Sequence, residues 1–139
     1  MSEIVVGYDG TECARAALDK AIEFAQELED KIVIVFGYAP GGYGGGEVPA
    51  QRDAVKEHGE KVTAEAAEAV GAAGVDHEVQ LVNEKGAEAV SDVAAMRKAR
   101  MIAVGTHGES ALKGAMLGST AHRLVHVAET PVLVVRAWL

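Results

Sequence analysis

Apolar residues follow two alternating patterns along the chain. Short runs rich in Val and Ile predict buried strands, and one run that alternates with polar residues predicts a strand at a sheet edge. Between the runs, apolar residues recur every three or four positions, which predicts amphipathic helices. The predicted strands are 3–8, 31–38, 76–82 (the alternating run), 100–104 and 132–136. The predicted helices are approximately 11–29, 51–73, 86–98 and 119–128.

Strands and helices therefore alternate from one end of the chain to the other. This order, with mostly continuous apolar strands, predicts an α/β fold: one open parallel sheet covered by helices on both faces. Thr11 is expected to cap the first helix, and Gly74 is expected to end the second. Residues 40–49 hold five glycines and two prolines, which indicates a loop. The 139 residues fit a single domain.

The composition of the chain argues against several classes of function. The net charge of -8 and the aromatic content of 4% argue against nucleic-acid binding, because phosphate backbones are repelled and bases find few stacking partners. The single cysteine, Cys13, allows no intrachain disulfide and fits a reducing compartment, so a cytoplasmic location is expected. The N-terminal residues do not have the pattern of a signal peptide, and no apolar run approaches 18 residues, so no membrane span is expected.

The candidate chemistry lies in the stretch GTHGESALKGAMLGSTAHRL, residues 105–124. Ligands of open parallel sheets bind beyond the carboxyl ends of the strands, where Asp9 and Gly105 are predicted to lie. Gly118-Ser119-Thr120 opens a predicted helix, and its three amides and two hydroxyls suit a phosphate. The spacing is that of neither the P-loop nor the dinucleotide fingerprint. The alternative is that these glycines and Asp9 serve only as turns.

Other residues attract attention but favour structural roles. His107 is expected to touch a phosphate or to order its loop, rather than to act in catalysis, because no carboxylate partner is close in sequence. His122 and His126 share one face of a predicted helix, yet a third metal ligand is missing, so a structural or surface role is favoured. Cys13 is expected to be a small packing residue.

The glycine stretch resembles the ATP-binding branch of the universal stress proteins. That branch carries Gly, two residues, Gly, nine residues, Gly and then Ser or Thr, and here Gly105, Gly108, Gly118 and Ser119 match every position. IVVGYDG, which contains Asp9, resembles the family's first strand, and TPVLVVR at 130–136 resembles its last. The order of elements agrees over essentially the whole chain.

The resemblance implies strand order 3-2-1-4-5 and a nucleotide above strands one and four. Asp9 would contact the ribose or adenine side, the backbone of Gly37 would meet adenine, and Gly105 would lie along the ribose. The family usually has a hydrophobic residue where Gly37 stands, which puts packing on adenine in doubt more than hydrogen bonding. The positions that would hold the phosphates are Gly108, Gly118, Ser119 and Thr120.

The resemblance also implies a function. The chain would bind ATP, or ADP or AMP, with Mg²⁺ or Mn²⁺ bridging the phosphates, and act as a regulatory stress-response protein with at most slow hydrolysis. A nucleotide-free interaction protein and a nucleotide-processing enzyme are the alternatives. Family members pair through the last strand, so a homodimer is expected. The pairing residues would be Val132, Leu133, Val134 and Val135.

Overall fold

Five strands and four helices alternate along the chain in the computed structural model, which describes residues 1–39, 49–107 and 117–137. Every element differs from its predicted bounds by at most two residues. The strands are β1 (Glu3–Gly7), β2 (Lys31–Gly37), β3 (His77–Val82), β4 (Met101–Gly105) and β5 (Val132–Val135). The helices are α1 (Glu12–Leu28), α2 (Pro49–Ala72), α3 (Gly86–Met96) and α4 (Ser119–Val127).

The strands form one parallel sheet in the order β3-β2-β1-β4-β5. This confirms the predicted fold class, the strand order, and the placement of the alternating strand β3 at an edge. The three central strands are buried on both faces, which explains their continuous apolar sequences, whereas β3 and β5 keep partial exposure.

Two apolar cores cover the two faces of the sheet. Side chains of α1 and α2 pack on one face, and those of α3 and α4 pack on the other. Helix α1 buries small residues at helical spacing (Ala14, Ala17, Ala21 and Ala25), which lets its backbone approach the sheet closely. The chain therefore leaves β1 toward one face and leaves β4 toward the opposite face. Such a point between adjacent strands is where ligands of this architecture bind.

The helix ends follow the predicted chemistry with small differences. Thr11 caps α1, since its Oγ1 accepts a hydrogen bond of 3.2 Å from the amide of Ala14. Gly74 has φ +77° and follows the end of α2, as predicted. Helix α2 begins two residues earlier than expected because Pro49, which has no amide hydrogen, is well suited to a first helical position. Most of the predicted loop at 40–49 lies outside the described residues.

Candidate functional site

Strand β1 ends before both of its neighbours at the carboxyl edge of the sheet. Its pairing with β2 stops at Gly7 and Val35, while β2 continues to Gly37. Its pairing with β4 stops at Ala103, while β4 continues to Gly105. The result is a gap above the end of β1, bounded by Gly37 and Gly105, which we call the strand-end notch. Since adjacent strands lie about 4.8 Å apart, the notch is about 10 Å wide.

Backbone polar groups point into this notch from both sides. Tyr38 donates its amide outward to β3 (N···O 2.9 Å), and Thr106 donates its amide outward to β5 (N···O 3.0 Å). Amide and carbonyl groups of successive strand residues face opposite edges of the strand, so those of Gly37 and Gly105 face the notch. No hydrogen bond to them from β1 extends the pairing in the described part of the chain.

Both glycines are also required by packing. A Cβ at Gly105 would lie 2.6 Å from the Cβ and the carbonyl carbon of Cys13 in α1. A Cβ at Gly37 would lie 2.5 Å from the carbonyl oxygen of Glu84, in the segment that leads into α3. Any side chain at either position would push these segments away from the sheet. The glycines therefore let α1 and the start of α3 close in on either side of the notch.

Asp9 lies directly beyond β1, in the turn that begins α1. Its Oδ1 accepts hydrogen bonds from the amide (3.1 Å) and the hydroxyl (2.6 Å) of Thr11, and Gly10 completes the turn with φ +83°. The turn role considered for Asp9 is therefore present in the structure. Its second carboxylate oxygen has no partner among residues 1–39, 49–107 and 117–137, so a ligand role is compatible with the turn.

The start of α4 supplies amide donors, with one correction to the prediction. The amide of Gly118 is not available to a phosphate, because it donates to the carbonyl oxygen of Thr106 at 2.6 Å. Gly118 is instead the N-cap of α4 and has no side chain with which to satisfy the first turn. The amides of Ser119, Thr120 and Ala121 have no acceptor in the described part of the chain. The three-amide group is therefore 119–121, shifted by one residue from 118–120.

Comparison with known proteins identifies the family. The model of the universal stress protein family matches residues 1–136. The chain belongs to the universal stress protein family. A universal stress protein of Thermus aquaticus is 34% identical over 134 residues, covering 96% of this chain and 97% of its own.

Two solved structures of this family show similar folds. The universal stress protein UspA from Lactobacillus plantarum has a TM-score of 0.86 at 20% identity, with 97% of each chain covered. A universal stress protein in complex with cAMP has a TM-score of 0.75 at 28% identity, covering 99% of this chain and 98% of that one. The architecture reached from the periodicity of the sequence is thus that of the family.

Thr106 connects the predicted site residues but was not singled out from the sequence. Its buried hydroxyl lies 3.6 Å from Sγ of Cys13 and 3.1 Å from Nδ1 of His107, and its carbonyl holds Gly118. Cys13 is itself buried, which confirms its packing role. Gly108, the second glycine of the motif, lies outside the described residues. A signal for Thr106 was its place between Gly105 and His107, where strand β4 ends.

Carboxylates gather on the α3 side of the notch. The pKa of Glu84 is raised by a hydrogen bond with Asp92, by burial and by the charge of Asp92. Glu88 is paired with Arg123 of α4 (Oε1···Nε 3.0 Å). The pairing of Glu88 with Arg123 partly offsets the negative charge that an anionic ligand would meet near α4.

Proposed function

We propose that this universal stress protein binds an adenine nucleotide in the strand-end notch and uses its occupancy as a regulatory signal. The observation that carries the proposal is the combination of backbone groups facing the notch with three unsatisfied amides at the start of α4. The notch supplies hydrogen bonds for a base and sugar, and the helix start supplies donors for phosphates. The cAMP complex of a family member that is 28% identical supports an adenine nucleotide as the ligand.

The backbone of Gly37 suits adenine in particular. It presents one amide donor and one carbonyl acceptor on the same side, and an adenine edge presents a ring-nitrogen acceptor beside an amino donor. Gly105 would lie along the ribose from the opposite wall. The free oxygen of Asp9 would accept a hydrogen bond from a ribose hydroxyl. A backbone contact explains why Gly37 serves here without the hydrophobic side chain that is usual in the family.

The start of α4 would bind the phosphates of ATP. The amides of Ser119, Thr120 and Ala121 carry the partial positive charge of the helix N-terminus, which stabilises anions. The hydroxyls of Ser119 and Thr120 are exposed and add donors. His107 lies two residues beyond the end of β4, and both it and Gly108, the next residue in sequence, are expected to contact the phosphates.

A divalent cation, Mg²⁺ or Mn²⁺, would enter with the phosphates. The described residues contain no group of three His, Cys, Asp or Glu side chains placed to hold a metal ion. An ion bound here would therefore be coordinated mainly by phosphate oxygens and water, as Mg²⁺ commonly is in nucleotide sites. Its contribution would be to neutralise phosphate charge in a protein whose net charge is -8.

A regulatory role is favoured over an enzymatic one. Phosphoryl transfer depends on positioning a nucleophile as well as on holding phosphates. Nδ1 of His107 lies 3.1 Å from the hydroxyl of Thr106, so that nitrogen is already engaged. We therefore expect at most slow hydrolysis. A nucleotide-free interaction protein remains the alternative if the notch proves unable to bind nucleotide.

The edge strand β5 is the proposed homodimer surface. Ile102 of β4 and Thr106, which directly follows β4, donate their amides to the carbonyl oxygens of Pro131 and Val135, so residues 131, 133 and 135 face β4. By alternation, the amides and carbonyls of Val132 and Val134 face away from the sheet. A second copy would satisfy these unpaired edge groups, with Leu133 and Val135 completing the paired strand.

Base discrimination tests the proposal most directly. Guanine reverses the donor and acceptor pattern of the adenine edge, so the amide and carbonyl of Gly37 would face like groups. Calorimetry with ATP and GTP in Mg²⁺ should show ATP binding at least roughly tenfold more tightly, the cost of one mispaired hydrogen bond. Analysis of nucleotide released on denaturation would identify the species retained from the host. Equal affinities, or no binding of ATP, ADP or AMP, would overturn the proposal.

A further inference from the structure

Two exposed histidines lie together on α4, outside the strand-end notch. His122 and His126 are separated by one helical turn, and their ring centroids are 4.9 Å apart with the ring planes at 65°. The chain has five histidines, and no other two of them are four positions apart. The two rings are therefore adjacent on one face of the helix, where both could bind the same ligand.

The ring separation matches that of two imidazoles bound to one metal ion. An ion bound to one nitrogen of each ring at about 2.0–2.1 Å, with an angle of roughly 90–109° at the ion, holds the ring centroids roughly 4.6–5.3 Å apart. The observed 4.9 Å lies inside this interval. Imidazole nitrogens favour Cu²⁺, Ni²⁺ and Zn²⁺ over the oxygen-seeking Mg²⁺ and Ca²⁺.

The surroundings of the pair favour a cation. His126 is in the last turn of α4, where the carbonyl end of the helix attracts positive charge. Arg123, the cation next to His122 in sequence, is held by Glu88 at 3.0 Å. We propose that His122 and His126 form a surface site for a divalent transition-metal ion of the Cu²⁺, Ni²⁺ or Zn²⁺ class, with water completing the coordination.

The site would lie on the same helix that begins with the phosphate-facing amides. The amide of His122 donates to the carbonyl oxygen of Gly118 at 2.9 Å, so His122 closes the first turn of α4. An ion bound by both His122 and His126 would link the second turn of α4 to the first. The metal site depends on side chains and the proposed nucleotide site on backbone amides, so each can be removed without the other.

Calorimetric titration with Ni²⁺ tests the site. We expect one ion per chain, with affinity reduced roughly tenfold or more in His122→Ala and in His126→Ala, since each leaves a single imidazole ligand. His77→Ala is the matched control, because His77 is also exposed but lies on strand β3 with no histidine near it in sequence, and the variant should bind Ni²⁺ as the parent chain does. Circular dichroism checks that the variants remain folded. Unchanged affinity in the double variant that carries both His122→Ala and His126→Ala, or no binding by the parent chain, would overturn the proposal.

Two further experiments distinguish an ion bound by the histidines from an ion bound through a nucleotide. Ser119→Pro, which removes one phosphate-facing amide, should leave Ni²⁺ affinity unchanged if the histidines hold the ion. Millimolar Mg²⁺ should not compete, because imidazole binds it poorly. In nuclear magnetic resonance spectra, paramagnetic Ni²⁺ should broaden the imidazole signals of His122 and His126 before those of His58 and His77. Binding lost in Ser119→Pro but kept in the histidine variants would contradict the assignment.

Discussion

The amide of Gly118 donates a hydrogen bond of 2.6 Å to the carbonyl oxygen of Thr106. This contact fastens the start of α4 to the end of β4 across the segment that connects them. It uses the amide of Gly118 and leaves the next three amides without an acceptor in the described part of the chain. The geometry of the proposed phosphate site is therefore set by this backbone contact, and the proposed donors are the amides of Ser119, Thr120 and Ala121.

The Ser119→Pro variant tests the first of these amides. Proline is favoured at the first helical position, and Gly118 already has the extended conformation (φ -68°, ψ 164°) that precedes proline readily. The helix should therefore persist while one donor is lost. Nucleotide affinity should fall roughly ten- to hundredfold, as for a hydrogen bond to a charged group worth about 1.5–3 kcal/mol. Calorimetry with ATP measures the change.

The matched control for that variant is Ser119→Ala. It removes only the hydroxyl and keeps the amide, so a smaller loss of affinity is expected. If Ser119→Pro and Ser119→Ala weakened ATP binding equally, the hydroxyl of Ser119 rather than its amide would be the donor. If neither weakened it, the start of α4 would not be the phosphate site.

Gly105 should be needed for stability as well as for binding. The added Cβ of Gly105→Ala would lie 2.6 Å from the Cβ of Cys13, so α1 must shift from the sheet. We expect the free energy of unfolding to fall by about 1–3 kcal/mol, the usual cost of overpacking. Urea denaturation measures this loss. Gly86→Ala is the control, since its Cβ would come no nearer than 3.6 Å to Thr120, an ordinary contact, and stability should be unchanged.

The difference between Gly105 and Gly86 shows what the sequence can predict here. The period of apolar residues is local, so it predicts the strands, the helices and their order. The reason for Gly105 depends on how closely α1 approaches β4, which follows from the small buried alanines of α1 only once the sheet is assembled. The same holds for Gly118: its amide has an acceptor only because the end of β4 lies beside the start of α4. The motif predicts where a site would lie, and the tertiary contacts decide which of its backbone groups have no acceptor in the described part of the chain.

An ionic cluster at the amino end of the strands could not be predicted from local sequence patterns either. Arg97, which follows α3, donates to Glu3 of β1 (2.7 Å) and to Glu78 of β3 (2.9 Å), and Lys31 of β2 donates to Glu78 at 3.0 Å. The two partners of Arg97 are 94 and 19 positions away in sequence. Only the parallel sheet brings these residues together.

Glu78 should make stability depend on acid pH. Hydrogen bonds from Gln80, Lys31 and Arg97 lower its pKa to about 2 from the ordinary 4.5. The unfolded chain therefore takes up the proton first. The stabilisation is fully present above about pH 4.5 and is lost as the pH falls toward 2. Glu78→Gln should reduce this decline and, because the group is partly exposed, cost about 0.5–1 kcal/mol at pH 7. Denaturation curves across pH 2–7 measure both effects.

Glu23 provides the matched control for Glu78. It is exposed on α1, where it forms a surface ion pair with Lys20 (Oε2···Nζ 2.9 Å). Glu23→Gln should leave both the stability at pH 7 and its decline in acid close to those of the parent chain. A Glu78→Gln variant that behaved like Glu23→Gln would show that the cluster does not stabilise the fold.

Val134→Pro tests the proposed dimer through β5. Because the amide of Val134 faces away from β4, proline at this position removes a donor from the open edge and keeps the pairing of β5 with β4. The variant should therefore remain folded and elute as a monomer in size-exclusion chromatography coupled to light scattering. Leu133→Pro differs by one position, yet its amide faces β4, so it should lower the free energy of unfolding instead. A dimer that persists in folded Val134→Pro would place the interface elsewhere on the chain.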